Sequence, residues 1–137
     1  MKKRRKKTSR ARFGQKACPC HSDAPYAACC RPYHKEEALP ESPEQLMRSR
    51  YAAYATSRVD YIIATTDPEG PQYEEDLEGW RASIASFCTS TTFVGLTIEE
   101  TSAREDEGEV RFIAQMLQDG ERVAMREHST FRRLRDG

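Results

Sequence analysis

No apolar run in this 137-residue chain approaches the roughly 20 residues that a membrane-crossing helix needs. The chain starts with a basic stretch like the n-region of a secretory signal, but the apolar h-region never follows. Export is therefore not expected, and a reducing cytoplasm is the expected compartment. Also missing are a phosphate-cradling glycine loop, a nucleophile triad and a metal-hydrolase motif. These absences remove the usual signatures of nucleotide hydrolysis, acyl transfer and metal-dependent hydrolysis. Acid, too, is absent from residues 1–12.

Cysteine, by contrast, is present and concentrated. Four of the five cysteines, Cys18, Cys20, Cys29 and Cys30, fall within thirteen residues as C-x-C-x8-C-C. Zinc prefers four tetrahedral ligands and binds thiolate strongly, so this cluster suits a closed structural site. Pro19 stiffens the loop presenting the first two sulfurs, and eight residues let the chain return with the second two. A disulfide framework is the rival reading, but it requires an oxidising compartment. Unligated thiols would leave a dense, oxidation-prone cluster without a purpose. The expected cofactor is structural zinc on all four cysteines.

The stretch CPC-H-S-D-x-x-Y-x-x-CC resembles the SEC-C motif, a small zinc-binding element named for the C-terminus of the SecA translocation motor. The segments LMRSRYAAY (46–54) and VDYIIATTDP (59–68) resemble the YchJ-like family, in which a SEC-C motif precedes a nuclear transport factor 2-like domain. The resemblance covers about residues 17–137 and implies helices packed against a curved sheet that encloses a conical cavity. It departs from the family pattern after the second ligand cysteine. Glycines are common there, but this chain has His21-Ser22-Asp23-Ala24. Glycine permits positive φ, which Asp23 tolerates better than most residues. His21 and His34 become spare ligands in principle, but four cysteines make both bystanders.

Lys2, Lys3, Arg4, Arg5, Lys6, Lys7, Arg10 and Arg12 crowd the start of the chain, while residues 13–137 carry 14 basic and 22 acidic side chains. The formal net charge of zero thus divides into a basic arm and a body of net −8. Residues 1–16 lack apolar periodicity and are expected to be disordered when free. They suit nucleic acid, a ribonucleoprotein or an anionic surface, or else merely solubilise the chain.

The expected domains are this arm (1–16), the SEC-C element (17–34) and a nuclear transport factor 2-like domain (42–137). Pro32, Pro40 and Pro43 mark a connector. Ser42 as N-cap, Pro43 at the first turn and Gln45 as capping-box partner predict a helix to about Ala55. Ser57 and Asp60 predict a short helix ending before Pro68. Leu77, Trp80, Ile84, Phe87 and Cys88 place a third over about 73–88 and make Cys88 a core thiol. The period then changes to 2 around 93–98, 110–117 and 123–131. Gly108 is the expected hinge of the first turn, and Asp119-Gly120 that of a hairpin. Helices followed by an antiparallel meander give an α+β class. The chain ends on Asp136-Gly137, before the aromatic closing strand that continues the family pattern, so an unpaired sheet edge is expected.

Helical spacing puts Arg50 inside the apolar face of Leu46, Met47, Tyr51, Ala53 and Tyr54, with Arg48 and Ser49 outside it. Strand alternation puts Glu127 and Ser129 on the face of Val123, Met125 and Phe131. An Arg50–Glu127 pair inside the cavity is therefore expected, with Tyr51, Tyr54 and Tyr61 as wall or core. An adjacent arginine lowers a carboxylate's pKa, which weighs against Glu127 as a general base. Asp60 suits a capping role. Two functions compete: a non-catalytic zinc adaptor that docks on a protein or ribonucleoprotein, and a small-molecule binder or enzyme using the cavity. SecA's motif takes part in docking contacts, so the resemblance favours the first.

Overall fold

The computed structural model describes residues 16–133. A hairpin carries the four cysteines, followed by α1 (Arg31–His34), α2 (Pro43–Ala55), α3 (Val59–Ala64) and α4 (Leu77–Ser90). Among the described residues three strands follow: β1 (Thr91–Arg104), β2 (Glu107–Gln118) and β3 (Glu121–Arg132), in antiparallel order β1-β2-β3. The class is α+β, as expected. The basic arm at residues 1–12 lies outside the described residues.

Helix α2 starts as its sequence predicts. Ser42 is the N-cap and its hydroxyl accepts the Gln45 amide at 3.1 Å, while Gln45 Oε1 reaches back to the Glu41 amide at 2.7 Å. Its end is less expected. Ser57 adopts φ +60°, with its amide bonded to Tyr54 O and the Arg58 amide bonded to Ala53 O. This is the pairing of a Schellman motif, so Ser57 closes α2 and does not cap α3. Arg58 precedes α3, and Asp60 sits in its first turn, paired with Arg81. Helix α4 begins at Leu77, four residues later than expected, because the Asp76 side chain accepts the Gly79 amide.

The strands exceed their sequence-predicted cores in length. Strand β1 carries two bulges, between Phe93 and Gly95 and between Ile98 and Glu100. The β2–β3 register runs unbroken from Glu107↔Arg132 to Gln118↔Glu121. Asp119 and Gly120, at φ +51° and +81°, form the tight hairpin that joins them. Gly108 has a different role from the hinge expected of it. It lies inside β2, buried, where a Cβ would run into the Pro43 ring at the start of α2. Glycine is needed there for close approach; the turn falls on Glu105, at φ +54°.

Helix α2 is the common member of three cores. Met47 and Tyr51 pack on Leu96, Val110, Phe112 and Ala114 of the sheet. Ala53 joins Ile62, Trp80, Ile84 and Cys88, so Cys88 is the expected core thiol. Ala52 joins Cys18, Cys20 and Cys30. Three consecutive residues, 51 to 53, thus enter three different clusters. A helix wrapped on three sides has no polar face at its centre, and Ser49, expected outside, is fully buried.

Candidate metal centre

The hairpin is a local construction. Ala17 bridges Pro25, the Cys18 amide donates to Ala24 O at 2.8 Å, and the Tyr26 amide donates to Lys16 O at 3.0 Å. Between these rungs the chain reverses through His21 (φ +66°) and Asp23 (φ +73°). Both positions use the left-handed region that glycine enters at low cost. A single 3₁₀ turn at Tyr26–Ala28 then delivers Cys29 and Cys30 to the first pair.

The four ligand sulfurs all lie within 4.8 Å of one another. Cys20 and Cys29 are 3.6 Å apart, and Cys29 and Cys30 are 3.9 Å apart. A tetrahedral zinc with ~2.3 Å bonds requires sulfur–sulfur edges of about 3.8 Å. A disulfide needs about 2.05 Å, and all four cysteines are free. The donor set therefore fits a four-coordinate thiophilic metal. Cys18, Cys20 and Cys30 are buried, while Cys29 is half-buried, with Ser22 Oγ 3.2 Å from its sulfur.

The sulfurs crowd one another, and this divides their proton affinities. Hydrogen bonding from Cys18 draws Cys20 toward thiolate and lowers Cys29 to about 7. Contact with Cys20 raises Cys18, and contact with Cys18 raises Cys30. Metal ligation takes the thiolate form, so filling this cluster would release its remaining protons.

Two connections that the sequence did not disclose fasten the hairpin to α2. Arg48 Nη1 donates to Cys20 O at 2.8 Å, and its Nε pairs with Glu44 at 3.0 Å. His34, 8% exposed, is no ligand. Its Nε2 lies 2.8 Å from Ser49 O, a pure acceptor, so Nε2 carries the proton. Nδ1 must then accept from Tyr26 Oη at 2.7 Å. Burial lowers the His34 pKa and favours this neutral form. Ser49 Oγ donates to Leu46 O at 2.9 Å and therefore accepts from Tyr61 Oη at 2.7 Å. The path Tyr26–His34–Ser49–Tyr61 runs from the hairpin through α2 to α3. Only a polar residue on each partner signals such a path in sequence, and these four are scattered over 36 positions.

The profile of the family described as "YchJ, middle NTF2-like domain" matches residues 42–137. The chain belongs to the YchJ-like family. A UPF0225 protein of Pectobacterium carotovorum is 44% identical over 122 residues, which are 85% of this chain and 76% of that protein. One from Serratia proteamaculans is 42% identical over 118 residues, covering 83% and 73%. The solution structure of a SEC-C motif containing protein from Rhodopseudomonas palustris superposes with TM-score 0.74 at 33% identity, covering 88% of this chain and 91% of that one. A crystal structure of a SEC-C motif containing protein from Psychrobacter arcticus gives TM-score 0.69 at 25% identity, with 88% and 73% covered.

In this YchJ-like chain the expected Arg50–Glu127 pair does not form. Glu127 faces the side expected, opposite Phe112, but it is exposed. The helix over this face packs on β1 and β2, and β3 extends beyond it. Even Met125, on the same row, is 37% exposed. Ser129 is half-buried farther along. Arg50 turns to α3, where Nη1 donates to Ile62 O, Thr65 Oγ1 and Thr66 Oγ1 at 3.1, 2.6 and 3.3 Å.

Tyr51 plugs the sheet. Its hydroxyl donates to Gly95 O at 2.9 Å and accepts the Gly95 amide at 3.1 Å, satisfying the first bulge of β1. Burial pushes its pKa up to about 12. Tyr54 is half-buried against Phe87 and Phe93, with ring centroids 5.7 and 6.3 Å away. No described helix is long and apolar enough to cross a membrane.

Proposed function

We propose that this chain is a zinc-binding, non-catalytic docking protein whose metal element engages a protein or ribonucleoprotein partner. The observation that carries the reading is the convergence of four cysteine sulfurs, three of them buried, at separations suited to one tetrahedral ion. Four thiolates complete the coordination shell and leave no position for water or substrate. When bound, zinc would supply cross-linking of the hairpin and no reaction step. The SEC-C neighbours and the YchJ-like match support the metal-binding part of this reading.

The docking part rests on placement. The hairpin sits at the N-terminal end of the folded body, directly after the basic residues 2–12. An arm with eight cationic side chains favours a polyanionic partner and brings it beside the zinc element. We expect elemental analysis of protein purified without chelator to give one zinc per chain; a metal-free result would sink the reading. Affinity capture with the intact chain and with residues 1–30 removed tests the docking. The partner should disappear with the truncation, and binding to RNA through the arm should fall steeply with salt. Equal capture by both forms overturns the assignment.

A further inference from the structure

Peroxide oxidises a cysteine only where solvent reaches it, and the four clustered cysteines differ in this respect. Cys18, Cys20 and Cys30 are 3%, 0% and 1% exposed, whereas Cys29 is half-buried. Cys29 also has a polar neighbour on its sulfur. The Ala24 amide donates to Ser22 Oγ at 3.3 Å, which leaves the Ser22 hydroxyl proton for Cys29 Sγ at 3.2 Å. The Cys29 sulfur thus stands as an acceptor, the role that suits a thiolate.

A second sulfur lies close enough to complete an oxidation. Cys20 Sγ is 3.6 Å from Cys29 Sγ, and Cys30 Sγ is 3.9 Å from it. Consecutive Cα atoms are about 3.8 Å apart, while disulfides usually need about 4.4 Å or more. Cys30, the next residue, is therefore the poorer partner. Cys20 comes from the other side of the turn at His21 and Asp23, and its own burial keeps it from direct attack.

We propose that Cys29 is an oxidation site for hydrogen peroxide, with Cys20 as the resolving cysteine and opening of the metal centre as the result. The Cys29 thiolate attacks the O–O bond. An S–O bond forms, hydroxide leaves and takes a proton to become water, and the sulfur is now a sulfenic acid. The Cys20 thiolate then attacks that sulfur. The S–S bond forms, the S–O bond breaks, and a second water leaves. Two thiolates, one peroxide and two protons thus give one disulfide and two waters. Only Cys18 and Cys30 remain as ligands, too few for a closed four-coordinate site. Arg48 fastens the hairpin to α2 at Cys20 O, so the disulfide forms at the joint between the metal element and the body.

The test uses the full chain, loaded with zinc and assayed for metal content, then treated with equimolar peroxide. Alkylation and peptide mass mapping follow the cysteines, and a chromogenic chelator follows zinc. The Cys20–Cys29 disulfide should form first, one zinc should leave with each disulfide, and dithiothreitol should reverse both. Cys88, buried in another cluster, should stay free. In Cys20→Ser the sulfenic acid persists, so dimedone should label Cys29; if that variant does not fold, the wild-type map decides alone. A first disulfide without Cys29, or one joining it to Cys18 or Cys30, overturns the proposal. So do dimedone on a buried cysteine ahead of Cys29, and thiols and zinc that both survive excess peroxide. The zinc readout rests on the metal-binding part of the proposed function, but the disulfide does not. A chain without zinc that still forms Cys20–Cys29 overturns the metal reading and upholds the oxidation site.

Discussion

His34→Ala is the sharpest test of how the metal hairpin is joined to the rest of the chain. The ring is 8% exposed and bonded at both nitrogens, to Tyr26 Oη and Ser49 O. Each hydrogen bond contributes about 1 kcal/mol net. The ring also packs on Tyr26 and Tyr61, with centroids 5.6 and 4.9 Å away, and truncation leaves a void worth a further ~1–2 kcal/mol. The sum is about 3–4 kcal/mol, a large share of the stability of a domain this size. Urea unfolding of the zinc-loaded protein should show it as a lower midpoint with unchanged slope.

Zinc release to a chelator should also accelerate in that variant, because the hairpin loses its seat on α2. His34→Gln separates the two bonds, since an amide nitrogen at that reach can still donate to Ser49 O while the Tyr26 bond is lost; about half the effect should remain. NMR of the wild-type ring should show the proton on Nε2. A His34→Ala protein within about 0.5 kcal/mol of wild type, or one whose zinc retention is unaltered, would refute the coupling.

Gly108→Ala should destabilise by about 1–3 kcal/mol, since the new methyl meets the Pro43 ring and lies 3.2 Å from Ser102 O; thermal unfolding checks it. Tyr51→Phe removes both bonds to Gly95 and exposes an unsatisfied bulge, costing about 1–3 kcal/mol by chemical denaturation. Asp23→Gly should stabilise the zinc hairpin by about 0.5–1 kcal/mol, because φ +73° then carries no side-chain strain; slower zinc release to chelator is the readout.

Legibility in the sequence follows range. The metal centre is written within thirteen residues, so spacing and ligand chemistry suffice to locate it. The cap of α2, the Asp119-Gly120 hairpin and the core position of Cys88 are equally local. Gly108 misled because a glycine beside an acidic turn looks like the turn's hinge, and its contact with Pro43 spans 65 positions. His34, Ser49 and Arg48 were hidden for the same reason. Each gives a polar signal that becomes specific only when α2 is known to be enclosed on three sides.

The Arg50–Glu127 expectation failed at a different step, and that step explains the fold's shape. Period-2 alternation assigns a strand residue to a face but says nothing of how deep along the sheet that face is covered. Val110, Phe112, Ala114 and Met116 on β2 are buried, the first three in one cluster with Met47 and Tyr51 of α2. Their partners one strand over, Ser129, Glu127, Met125 and Val123, share the face and range from half-buried to exposed. A charge at 127 is tolerated because it costs no desolvation there, and so it exerts no demand for Arg50. Arg50 is then left to the end of α3, where Ile62 O, Thr65 Oγ1 and Thr66 Oγ1 take its Nη1. The same helix that seats the four-cysteine hairpin on one flank thus holds a cation among neutral hydrogen-bond partners on another.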